Sequence, residues 1–374
     1  MVRCVQRRCF AGAILALVFV SPAAQNIKAQ GGANSVQCGN QEANQLLQRG
    51  HDMFPKSGYG LPPVVASAGR ALTYFELAAE KDPSCAQAQV ALAKAEIGFP
   101  SWPGLPERFQ MVKEAAMRAI ELQDGLAEAH ALLGDAEFNT WQWQPAEKEY
   151  KRAIELAPND PSNHLRYARF LAAMGRPAQA VDEAEKARAL AHGSPPVDLA
   201  AGEIYYWTRR YDKAVELIRP AVGSNPMGNF LLGWACAGQS NWQDAINAFA
   251  TILPITDRDA GDLMSLAYAY APEGRRTDVL PMLEEAKQKT TLMYVPLYRI
   301  AATYLAMGDR KQALEWLEKA ATEDPGWVVW IKVDPVMDPL RSDPRFQKLV
   351  EEMKFPSQGS GVAPDSAKTV LRSR

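Results

Sequence analysis

Cysteine and histidine are scarce in this chain, opposite charges nearly cancel, and its N-terminal apolar run is short. The 374 residues include five Cys and four His. A structural metal site needs several such ligands converging on one point. His130 and His164 lie 34 residues apart, but no Cys or carboxylate stands at a helical spacing that completes a ligand set. Packing or capping is the plainer role for both, and no metal or other cofactor is expected. Acidic and basic residues number 43 and 41, a net charge of −2, so the basic footprint of a nucleic-acid binder is missing. The apolar run from Phe10 to Val20 has eleven residues, whereas a bilayer span takes about 20. A membrane is therefore expected to matter only through a partner. The chain has no Gly-x-Ser-x-Gly, no His-Glu-x-x-His, no phosphate loop and no dinucleotide fingerprint. Helix surfaces carry many carboxylates, but these are more often a solvated face than an acid–base pair, and no enzymatic role is expected.

What is present begins with an export layout. Arg3, Arg7 and Arg8 precede the apolar run, and small residues follow it in "SPAAQ". This is the arrangement of a secretory signal peptide over residues 1–30, with cleavage near Ala23 or near Ala29. The Arg7-Arg8 pair leaves the twin-arginine route open beside the general one. No Leu-x-x-Cys lipidation box follows. Loss of the signal removes Cys4 and Cys9 and leaves Cys38, Cys85 and Cys236. An oxidising compartment allows a bridge. Cys38 precedes the first helix of the first repeat unit and Cys85 opens the first helix of the second. Those starts are neighbours in a stacked array, and a bridge needs Cα atoms within about 7 Å; the alternative is two unpaired thiols. Cys236 is expected to be a small buried apolar group.

The body is a repeat. "AEKEYKRAIELAPNDP" (Ala146 to Pro161) matches "ALTYFELAAEKDP" (Ala71 to Pro83) in the order Ala, aromatic, Ala, Pro. The alanine-led frame returns at Ala180, Ala214 and Ala245, with Val279 in its place once, then at Ala313. The steps from Ala146 onward are 34, 34, 31, 34 and 34 residues. A period of 34 with this frame is the tetratricopeptide signature. Turn glycines fall at Gly175, Gly274 and Gly308. Small residues let two antiparallel helices approach, the aromatic fills the space beside them, and proline ends the second helix. No unit buries its own apolar face, so units must stack. Apolar residues are 47% of the chain, enough for a long shared core. The expected fold is all-α: a right-handed α-solenoid of about eight tetratricopeptide helix pairs over residues 31–355. Its last element, Asp338 to Met353, is a capping helix with Phe346, Leu349, Val350 and Met353 on one face. The tail over residues 356–374 is polar and reads as disordered.

Two stretches are more specific than the generic repeat: "LAEAHALLGDAEFNTWQWQPAEKEYKRAIELAPNDP" (Leu126 to Pro161) and "WIKVDPVMDPLRSDPRFQKLVEEM" (Trp330 to Met353). With the paired Trp141 and Trp143, they resemble the C-terminal repeat domains of bacterial winged-helix, cyclase and kinase signalling proteins. The similarity covers roughly Ala71 to Pro356. The output domain that precedes the array in those relatives has no counterpart between the signal and the first repeat. What the resemblance implies is a sensing or partner-binding array, not a regulatory output.

In this fold the first helix of each unit is expected to line the concave face. The frame then places Asp135, Phe138, Asn139, Arg169, Glu203, Tyr206, Trp207, Phe230, Trp234, Met264, Tyr268 and Tyr298 along a groove. Large aromatics are the usual anchors of recognition, and the alternative for each is packing between helices. The paired Lys and Asn of a carboxylate clamp are not seen along this face. Two long turns, "FPKSGYGLPP" (Phe54 to Pro63) and "FPSWPGLP" (Phe99 to Pro106), carry Tyr59, Phe99 and Trp102. These three are candidate contact residues if they point outward, and packing groups if they fold back. The expected function is an exported scaffold that holds a protein or peptide segment in its groove. The alternatives are a detached sensor module of an envelope signalling system and, less in keeping with the residues, a periplasmic enzyme.

Overall fold

The computed structural model describes residues 38–54, 62–98, 105–222, 226–290 and 295–356. The signal segment, Tyr59, Phe99, Trp102 and nearly all of the C-terminal tail lie outside these residues.

Proline and glycine punctuation divides the described chain into eight antiparallel helix pairs. These are α1 (Gln41–Met53) with α2 (Pro62–Lys81), α3 (Ala86–Ile97) with α4 (Leu105–Leu122), α5 (Ala127–Asn139) with α6 (Trp143–Leu156), and α7 (Pro161–Ala173) with α8 (Pro177–Ala191). They continue as α9 (Pro195–Trp207) with α10 (Tyr211–Ile218), α11 (Pro226–Gly238) with α12 (Trp242–Ile252), α13 (Ala260–Tyr270) with α14 (Arg276–Lys289), and α15 (Leu297–Ala306) with α16 (Arg310–Glu323). A one-turn helix α17 (Pro325–Val328), a 3-10 turn (Pro335–Leu340) and α18 (Pro344–Glu352) follow. There are no strands among the described residues. The result is the right-handed α-solenoid that the 34-residue frame demands.

The frame residues do what their size requires. Ala71, Ala146, Ala180, Ala214, Ala245, Val279 and Ala313 are all fully buried. Gly134 shows why one position stays small: a Cβ there would lie 2.9 Å from the Tyr150 ring. Asp160, Asp259 and Asp309 cap α7, α13 and α16 through their side chains, satisfying backbone N–H groups that the first turn leaves free.

The turn inside each of the last six pairs needs one left-handed residue. Gly175, Gly274 and Gly308 supply it with φ of 75°, 71° and 82°, at no steric cost. In the other three turns the same place is held by Trp141, Arg209 and Ser240, with φ of 62°, 63° and 60°. A non-glycine residue there is strained by about 1–2 kcal/mol.

His130 and His164 repeat one motif. In each the ring Nδ1 lies 2.6 Å from a glutamate of the paired helix, Glu149 or Glu183. Nε2 lies 2.9 Å from the backbone oxygen of Asp124 or Pro158 in the preceding loop. Each imidazole thus ties a first helix to its partner and to the unit before it, and both ring nitrogens are engaged.

Three apolar clusters form the core, the smallest being Leu165, Ala187 and Val197 where α7, α8 and α9 meet. The largest runs from Ala93 to Met353, and a second holds Cys38, Leu47, Phe75, Cys85 and Ala91 at the N-terminal end. Cys38 and Cys85 are joined by a disulfide with Cα atoms 4.9 Å apart, closing a 47-residue separation. Cys236 is buried and free, and burial raises its thiol pKa. At the other end α18 buries Phe346, Leu349 and Met353, with Val350 partly covered.

Candidate functional site

The first helices line the concave side as their spacing requires, but that side is not open along α5 to α15. After α16 the chain turns back into the superhelix. Residues 325–340 pack against α5, α7, α9 and α15, with Val328, Trp330, Ile331, Met337 and Leu340 almost completely buried. The apolar content of this segment explains the route. It follows the last repeat, has no further unit to stack on, and finds its partners in the aromatic stripe of the groove.

Each expected groove residue therefore meets the chain itself. The Trp207 ring stacks on Trp330 at 4.1 Å between centroids and 4° between planes. Phe138 meets Trp330 edge-on at 6.2 Å. The Arg169 guanidinium lies 5.4 Å from the Trp330 centroid, and Arg169 pairs with Glu203 at 3.3 Å. Glu203 also accepts the Trp207 indole N–H at 3.2 Å. Asn139 donates to the Asp135 carbonyl at 2.7 Å and crowds Gly326, where an added Cβ would lie 3.3 Å from its Oδ1. Asp135 itself faces Tyr150 and Arg166 at 2.9 and 2.6 Å. Tyr298 donates to Asp334 at 2.9 Å. Tyr206, Phe230 and Trp234 line what remains of the groove, and Tyr268 tilts against Trp234 at 4.9 Å. Met264 is not on the face at all: it is fully buried beneath it, where Thr303 donates to its carbonyl oxygen at 3.2 Å. The expectation of an open aromatic face is thus revised to a face covered by a C-terminal strap.

Charges fasten the strap. Arg209 donates two bonds of 2.6 Å to the Asp338 carboxylate, and Arg310 bonds the Pro339 carbonyl. Trp141 Nε1 donates to the Pro325 carbonyl at 3.2 Å, and Trp143 Nε1 to that of Met353 at 2.8 Å. Phe355 stacks on Trp143 at 4.7 Å. The two strained turn residues that contact this segment, Trp141 and Arg209, are both anchors, which ties the local strain to the strap.

Arg299 is the residue that sequence reasoning missed. It stands at the wall of the remaining cleft, with its guanidinium carbon 4.0, 4.7 and 5.2 Å from the Trp234, Trp327 and Phe230 rings. The one signal available for it was a charge among apolar residues on an inward-facing position of α15. Burial lowers its pKa, and burial likewise pushes the Asp334 carboxyl up. Burial and the neighbouring Asp259 raise Asp262 to about 8.

A tetratricopeptide repeat family model matches residues 296–326. No curated protein matches the sequence. Among solved structures, the chain is similar to the APC/C hetero-tetramer Cut9-Hcn1, with a TM-score of 0.52 and 15% identity over 83% of this chain and 55% of that one. It is also similar to the human IFIT1 dimer with m7Gppp-AAAA, with a TM-score of 0.52 and 14% identity over 78% of this chain and 80% of the other. TTC0263, a thermophilic TPR protein in Thermus thermophilus, aligns with 53% of this chain and 99% of its own at 18% identity and a TM-score of 0.43. At these identities the likeness concerns the fold. The matched stretch is a tetratricopeptide repeat, and the helix pairs around it share the fold of these solved structures.

Proposed function

We propose that this protein is an exported interaction scaffold whose partner segment docks on the composite surface made by the concave face and the strap. The observation that carries this reading is the strap itself. The groove already holds a peptide-like segment through tryptophan stacking, cation–π contacts and a tyrosine–aspartate bond, which is the chemistry of peptide recognition. A partner meets the mouth left around Arg169, Glu203, Trp234 and Tyr268, not the bare helices. The Cys38–Cys85 bridge supports export, because such bridges persist in oxidising compartments. Among the described residues no helix is long and apolar enough to cross a membrane.

The test is affinity capture from envelope extract with wild type and with Arg169→Ala/Tyr268→Ala. Both positions are partly exposed, so the variant keeps most of its core. Partners lost by the variant at unchanged stability support the reading. Identical captured sets overturn it. Export is checked separately by the mature N-terminus, expected just after Ala23 or Ala29.

A further inference from the structure

We propose that Asp262 is a proton-operated latch at the joint between α13 and α15, holding the joint closed as a neutral acid and loosening it on ionisation. The device goes beyond the reading above and needs no partner.

The joint is closely packed. In the first turn of α13, a Cβ on Gly261 would lie 3.3 Å from the Pro296 ring that leads into α15. Farther along, Thr303 of α15 donates to the Met264 carbonyl at 3.2 Å. Two aspartates stand in this first turn, Asp259 with 3% and Asp262 with 1% exposure. Asp259 Oδ1 accepts the backbone N–H groups of Gly261 and Asp262 at 2.8 and 3.4 Å. Asp262 Oδ2 is buried with no hydrogen-bond partner among the described residues. N–H donors favour a charged carboxylate, and burial without them favours the neutral acid. The proton that such a coupled pair holds therefore sits on Asp262. Two charges act on this carboxyl: Asp259 opposes its ionisation and Arg299 of α15 favours it. Arg299 also faces Asp334 of the strap. From α14, Glu285 pairs with Arg258 and Lys289, and Lys289 donates to the Arg258 carbonyl. Burial prevails, in keeping with the geometry, and the Asp262 carboxyl is pushed up to about 8.

An ionised Asp262 needs water. At this depth water reaches it only when the first turn of α13 parts from its neighbours. The proton passes to that water, and no other covalent bond changes. The folded value lies above the usual 3.8. The stability that this proton contributes is thus complete below about pH 4 and is lost as pH rises to about 8.

The test uses the full chain, with unfolding constants read by chemical denaturation across this pH range in wild type and in Asp262→Asn, which keeps the shape and cannot ionise. Wild type is expected to lose stability relative to the variant about tenfold per pH unit between about pH 5 and pH 7, and the ratio to level off above about pH 8, as a difference of one bound proton requires. A ratio that does not vary with pH overturns the latch. Asp259→Asn keeps a capping side chain and removes the neighbouring charge, so the levelling-off is expected at lower pH. An unmoved levelling-off overturns the pairing on which the latch rests. Loosening is read as amide-exchange protection of α13, corrected for the intrinsic exchange rate. Between about pH 7 and pH 9 wild type is expected to lose about tenfold in protection there and Asp262→Asn to lose none; equal changes in both overturn the loosening. Should Asp262→Asn fail to fold, carbon-13 NMR of the aspartate carboxyls in wild type decides. One carboxyl titrating near about pH 8 upholds the latch, and titration of every aspartate below about pH 5 overturns it.

Discussion

Trp330 shows how much of this molecule rests on single side chains. It is 2% exposed and is held between Trp207, Phe138 and Arg169. Trp330→Ala should cost about 3–5 kcal/mol, measured by chemical denaturation, and a much smaller loss would mean that the strap is less firmly seated. Arg209 allows a test in which the sign is informative. Its left-handed φ strains any residue with a Cβ, while its guanidinium holds Asp338. Arg209→Ala and Arg209→Gly both lose the ion pair, but only glycine relieves the strain. The glycine variant should be the more stable of the two by about 1 kcal/mol, and equal stabilities would show that the turn is not strained. Neither effect was legible in the sequence, where Trp141 and Arg209 gave no sign that they stand in for turn glycines.

At the scale of elements, the N-terminal pair carries a staple that the stacked helix starts made plausible. Removing it by Cys38→Ser/Cys85→Ser should cost up to about 4 kcal/mol for a loop of this length in the chain-entropy model. Because α1 and α2 have their own small cluster, the loss should show first as faster amide exchange there and not in α5–α16. Between α5 and α6, the hydrogen bond to the Glu149 carboxylate makes His130 hold its proton more tightly, which raises its pKa above the usual 6.5. The folded pKa exceeds the unfolded one, so this contribution is complete below about pH 6.5 and fades as pH rises through the folded value. His130→Gln should flatten that part of the stability profile. A wild-type profile unchanged by the substitution would rule out the link. The turn glycines, the alanine frame and the capping helix were readable because each is a local choice repeated every 34 residues or placed at the end of that series.

At the scale of the whole molecule, the sequence frame determined which residues face inward but not what they meet there. Period and spacing describe one helix pair at a time, whereas the strap contacts α5, α7, α9 and α15 after a return that no local signal encodes. Trp327 and Trp330, two large aromatics just past the last repeat with no further unit to stack on, were the nearest thing to a cue. The consequence is structural: the aromatic stripe that looked like an open peptide groove is already filled by the chain's own Trp330. That account turns on contact between residues far apart in the chain. A double-mutant cycle on Trp207→Ala and Trp330→Ala measures it most directly. The expected coupling is about 1 kcal/mol, the value of a stacked aromatic pair beyond its buried area. Costs that simply add, within about 0.3 kcal/mol, would contradict the filled groove.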